Sequence, residues 1–155
     1  MPTFLICLSS QLGASGPEAD KSVCEYIETS SHLANSESLI GQCSEYGRVE
    51  VLNIPASACG ATDQAMECLW ELTELKGLFI ESKAKAIKPS ALAQISDGLT
   101  TVEAEGQNLC RARQELYMTA PMWNATVADE LYNTCISDLQ DFILNALDTA
   151  DWVGR

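Results

Sequence analysis

Ser90 to Met118 reads SALAQISDGLTTVEAEGQNLCRARQELYM, and its apolar spacing decides the fold class. Leu92, Ile95, Leu99, Val102, Gly106, Leu109, Arg113 and Leu116 alternate steps of three and four, so they line one stripe of a helix about seven turns long. Gly106 and Arg113 are the flaws in that stripe. A glycine there lets another helix come close, and the arginine can carry its charge out to water from the rim.

On the N-terminal side, Thr62 to Lys88 opens with an N-cap pattern, Thr62 followed by Asp63 and Glu67, and closes before Pro89 with Lys83, Lys85 and Lys88 in its last turns. Those charges suit the helix dipole at both ends. Ala65, Cys68, Leu72, Leu75 and Phe79 form its core stripe, widened by Leu69 and Leu78. On the other side, Pro121 separates Met118 from a helix expected from Asn124 or Thr126 to about Ala150. Tyr132, Ile136, Leu139, Ile143, Ala146 and Ala150 are in register there, with Leu131, Phe142 and Leu147 flanking.

The first third is less regular. Leu5, Leu8, Leu12, Ala19, Val23 and Tyr26 stay nearly in helical phase, but Gly13, Gly16 and Pro17 interrupt them, so either a kinked first helix or a second start at Pro17 is expected. From about Ser30 to Gly60 the chain is polar, with Val49, Val51, Leu52 and Ile54 as a short extended or tucked segment. Four amphipathic helices, a long link after the first and a tight turn at Pro89 predict an all-α four-helix bundle, a single domain over residues 1–155.

Charge and cysteine content narrow the function. Twenty-two acidic against nine basic residues give a net charge of -13 over 155 residues, a field that repels phosphate backbones and anionic membranes. Neither nucleic acid nor membrane insertion is expected, and no apolar run approaches the roughly 20 residues that cross a bilayer. Seven cysteines (Cys7, Cys24, Cys43, Cys59, Cys68, Cys110, Cys135) contain no CxxC pair, so structural disulfides in an oxidising compartment are expected instead of zinc or redox chemistry. The odd count leaves at least one thiol free or paired between chains. The chain reads as a mature secreted form, the alternative being a degenerate leader ending near Gly16.

Catalytic readings lack parts. His32 is the single histidine, so no histidine-based metal site can be assembled, and a cysteine–histidine dyad would need a thiol beside it. No phosphate loop or GxSxG occurs. Glu103 with Glu105, and Asp138 with Asp141, read as solvated helix faces. No catalytic residue, metal or cofactor is expected. Asn124-Ala125-Thr126 fits an N-glycosylation sequon. Trp123, preceded by Met122 and Pro121, is either a staple against the core or an exposed contact anchor.

Leu52-Asn53-Ile54-Pro55, then Cys59, Cys68-Leu69 and Gly77-Leu78-Phe79 resemble the end of the first long loop and the second helix of the interleukin-6 and granulocyte colony-stimulating factor family. Ser137-Asp138-Leu139-Gln140-Asp141-Phe142 is similar to the middle of that family's fourth helix, and Phe4 to Leu8 to the opening of its first. The resemblance implies an up-up-down-down bundle with a long first crossover, a Cys59–Cys68 disulfide at the start of the second helix and, as the first bond, Cys24 with Cys43. The function it implies is that of a secreted growth-factor-like cytokine, monomeric when free, that binds class I cytokine receptor ectodomains and brings receptor chains together. Trp123 and Met122 would form one receptor contact; Glu103, Gln107 and Arg111 on the third helix would form another. The sequence departs from the pattern in the wider loop that Cys24 with Cys43 would close, in its nearly missing second crossover and in Asp148 and Asp151, where basic residues are expected. The alternative is a disulfide-stabilised helical binding module, an inhibitor, adhesion domain or carrier of an apolar ligand.

Overall fold

The computed structural model describes residues 17–120 and 124–154. Among them are five α-helices, α1 (Pro17–Thr29), α2 (Ser36–Tyr46), α3 (Ala65–Ala86), α4 (Pro89–Met118) and α5 (Ala125–Val153), and one 3-10 turn at Ala56–Ala61. The described residues contain no strand, so the chain is all-α. The expected first-helix segment around Phe4–Leu8, together with Cys7, Met122 and Trp123, lies outside the described residues.

Five helices replace the expected four because α2 occupies part of the segment read as irregular. It has little stripe of its own: Leu39 is buried and Ile40 is 39% exposed. Its ends are set by backbone instead. Asn35 and Gly47 bracket it in the left-handed region, and the Gly47 N–H donates to the Cys43 carbonyl at 2.9 Å, a glycine C-cap. A Cys24–Cys43 disulfide fastens α2 to α1. The segment after it is tucked, not extended: Val49 and Ile54 are buried while Val51 is 64% exposed.

Thr62 does not cap α3, which starts at Ala65. Its N–H and hydroxyl both donate back to the Cys59 carbonyl, at 3.0 and 2.8 Å, closing the 3-10 turn. A threonine has one hydroxyl, and the turn claims it. The Cys59–Cys68 disulfide then ties this turn to the first turns of α3, with both cysteines fully buried.

Helix directions depart from the up-up-down-down order. Asp20 meets Ser82, and Ser31 and His32 meet Glu71, so α1 runs antiparallel to α3. Thr73 meets Gln140 and Lys76 meets Asp141, so α3 and α5 run parallel. Gln114 meets Asp129 and Cys110 is bonded to Cys135, so α4 and α5 are antiparallel. The directions therefore alternate along α1, α3, α4 and α5. Short links are the cause: Ile87 and Lys88 alone join α3 to α4, and residues 119–124 join α4 to α5, too little chain to travel a bundle's length. The long first link is spent on α2 and the 3-10 turn.

The core lies where α5 packs along both α3 and α4 and α1 packs along α3. Leu69, Leu72, Leu75 and Phe79 of α3 and Ile143, Leu144, Leu147 and Ala150 of α5 are all buried there. The α4 stripe holds only in its first half. Leu99 is buried, but Leu109 is 61% and Leu116 69% exposed, and Cys110 is buried in their place. Residues seven apart drift about 20° per heptad around a straight helix. Ile95, Val102, Leu109 and Leu116 therefore rotate away from α5, and the contact passes to Gly106, Cys110 and Gln114.

Candidate binding surface

The parallel pair α3 and α5 carries a ladder of polar rungs. The Lys76 ammonium, fully buried, donates to the Ser137 hydroxyl at 2.8 Å and pairs with Asp141 Oδ1 at 2.7 Å. One heptad on, Lys83 pairs with Asp148. Because both helices point the same way, equal seven-residue steps on each bring lysine to aspartate twice. Gln140 adds a rung by donating to the Thr73 carbonyl at 2.8 Å, and Lys88 donates to the Gly154 carbonyl at 2.8 Å. Asp141, read from sequence as a solvated acid, does reach water, its side chain being 42% exposed, and is also the partner of a buried cation.

Between the two ion-pair rungs lies an open-mouthed pocket of about 270 Å³, lined in part by residues 50–53. Phe79 and Leu144 contribute apolar surface, but Glu50, Lys83, Asp141 and Asp148 bring charge to its walls. Lys83 also lies 5.1 Å from the Phe79 ring centre, a cation–π contact. Pockets for drug-sized ligands run from roughly 300 Å³ upward and are mostly apolar. This one is smaller and its walls are charged, whereas a second hollow of about 500 Å³ beside Gln114, Met118, Ala125 and Asp129 is larger.

Glu71 of α3 anchors the α1–α2 connection. Its carboxylate accepts from the backbone N–H of Ser31 at 3.2 Å and of His32 at 2.8 Å, and Oε1 lies 3.1 Å from His32 Nδ1. His32 is thus engaged by a carboxylate, and all cysteines among the described residues are in disulfides, so a dyad has no thiol there. One face of α1 nearby holds Tyr26, whose phenol is pushed up to about 12 by burial first and the Glu74 carboxylate second. Among the described residues no cluster of three His, Cys, Asp or Glu side chains is placed to hold a metal ion, and no helix is long and apolar enough to cross a membrane.

The residues singled out from sequence fall into separate places. Glu103 and Gln107 are half-buried and Arg111 is exposed, so they do not form one uniformly open face of α4. Asn124 is the N-cap of α5: its Oδ1 accepts from the Val127 N–H at 3.0 Å. That leaves its Nδ2, the atom a glycan would take, outside the cap. Cysteines 24 and 43 are bonded, as are 59 and 68; Cys110–Cys135, for which no pairing had been expected, clamps α4 to α5.

Large apolar groups on the outside were the signal missed. Trp70 is 55%, Phe142 56% and Trp152 76% exposed. Phe142 was expected beside the core stripe, yet it points outward.

No protein family matches the sequence, and comparison with curated proteins and with solved structures yields no match.

Proposed function

We propose that this protein is a disulfide-braced helical module that acts outside the cell by binding another protein. The observation that carries this reading is the exposure of Trp70, Phe142 and Trp152 on α3 and α5, two helices held to each other by the lysine–aspartate ladder. Aromatic side chains on a rigid frame bind with little loss of side-chain freedom and dominate hot spots. Three disulfides suit an oxidising compartment, and the Asn124 sequon suits secretion as a glycoprotein. On this reading α1, α3, α5 and α4, each packed on the next in that order, serve as the four rods of an open bundle, with α2 inserted in the first link. No catalysis or cofactor is part of it.

The narrower reading is a cytokine-like ligand that joins class I receptor ectodomains through Trp123 and Met122 on one side and Glu103, Gln107 and Arg111 on another. In its favour stands the Cys59–Cys68 clasp before α3. Against it stand the alternating helix directions, since the family that suggested it is built up-up-down-down. The broader reading is therefore the conclusion.

Two measurements separate them. Affinity capture from extracellular fluid, with the wild type beside a Trp70→Ala/Phe142→Ala/Trp152→Ala variant, should lose its captured protein in the variant while circular dichroism is unchanged. Identical captured sets would overturn the broader reading. Surface plasmon resonance against class I receptor ectodomains, with Trp123→Ala as the control, decides the narrower one. Binding that is saturable and lost in that control supports it; no response from any ectodomain removes it.

A further inference from the structure

We propose that two copies of this chain associate through the outer face of α4, side by side and antiparallel, about a two-fold axis at Leu109. Val102, Glu105, Leu109, Arg113 and Leu116 share that face by helical spacing. Leu109 and Leu116 are 61% and 69% exposed, Glu105 and Arg113 are exposed and Val102 is half-buried.

The face is its own complement. Glu105 stands four residues before Leu109 and Arg113 four after; Val102 stands seven before and Leu116 seven after. Turned over on a two-fold axis at Leu109, the stripe sets Glu105 against the partner's Arg113 and Val102 against the partner's Leu116. Both contacts occur twice, as a closed two-fold interface requires, and Leu109 meets its own copy on the axis.

Charge favours this face over the others. Neither Glu105 nor Arg113 makes an ion pair among the described residues. Eight residues apart on a straight helix, about 12 Å, they cannot reach each other within one chain. The chain carries -13 overall, so most of its surface repels a second copy. One acid and one base balance here. The contact is a single helix pair, about 21 Å from Val102 to Leu116, shorter than a standard interface needs. On this proposal the chain is a monomer in dilute solution and a dimer on concentration.

Sedimentation velocity on the full chain, from roughly 10 µM to 1 mM, tests this. The wild type should shift from monomer to dimer mass across that range. Leu109→Glu should abolish the shift, and Arg113→Glu, which sets a carboxylate against the partner's Glu105, should weaken association at least about tenfold. The double swap Glu105→Arg/Arg113→Glu should restore it, with circular dichroism constant throughout. A monomer at every concentration overturns the proposal. So does a dimer that survives Leu109→Glu, or a double swap no stronger than Arg113→Glu alone.

Discussion

The methyl groups of Leu139 on α5 fill the space that a side chain on Gly106 of α4 would occupy: a Cβ there would lie 2.6 and 2.7 Å from them. The glycine read from sequence as a point of close approach is one. Gly106→Ala gains about 1 kcal/mol of helix propensity but must push Leu139 aside at an overpacking cost of about 1–3 kcal/mol. Urea denaturation should show a net loss. Gly98→Ala on the same helix meets nothing within 4 Å and should gain about 0.5–1 kcal/mol. Equal effects at the two sites would show that α4 and α5 do not pack at Gly106.

Lys76 separates charge from packing. Lys76→Ala empties the space of a buried four-carbon stem, a loss of about 3 kcal/mol as for other large-to-small core changes, while the broken pair itself costs little because Asp141 still reaches water. Lys76→Met keeps the stem and should cost less than about 1.5 kcal/mol. Chemical denaturation of the two variants decides. If methionine is as damaging as alanine, the rung is held by its charges.

Tyr26 gives a pH test. Its phenol titrates near 12 in the folded chain against an ordinary value of about 10. The unfolded chain therefore loses this proton first, and stability present below pH 10 is lost as pH rises toward 12. Absorbance titration near 295 nm should show a late tyrosinate step that is missing in Tyr26→Phe, and that variant should unfold less steeply with pH in this window. The same late step in the variant would assign it elsewhere.

Asn124 caps α5 and, on the proposed reading, also carries a glycan. Asn124→Ala should cost about 1 kcal/mol by removing the α5 cap. Asn124→Asp keeps an oxygen for the Val127 N–H and removes the sequon, as Thr126→Ala does without touching the cap. Mass spectrometry of wild type and variants expressed through a secretory pathway should show a glycan on the wild type alone. Equal stability of the alanine and aspartate variants would show that the cap contributes nothing.

Long periodic helices were legible in the sequence because their burial is written in spacing. The α3 and α5 stripes put Leu72, Phe79, Ile143 and Ala150 inside, where they are found. Pro89 marked the turn into α4 because proline suits the first helical turn. What escaped was set by other forces. α2 is fixed by a disulfide and two left-handed residues, not by an apolar stripe. The second half of α4 misled because a heptad pattern and a straight helix part company over three or four repeats. Lys76 sits among core positions, where a charged residue reads as surface until the partner helix supplies Ser137 and Asp141. Helix directions followed from link length, which the sequence also displays; the family likeness obscured it.

The placement of α5 has a consequence for biogenesis. It is the latest of the described helices to leave the ribosome, yet it is the one against which both α3 and α4 bury their faces. Until it emerges, those two helices expose their apolar sides and the Cys110 thiol waits for Cys135. Nascent chains halted between α4 and α5 are therefore the species that chaperones and thiol oxidoreductases should hold longest.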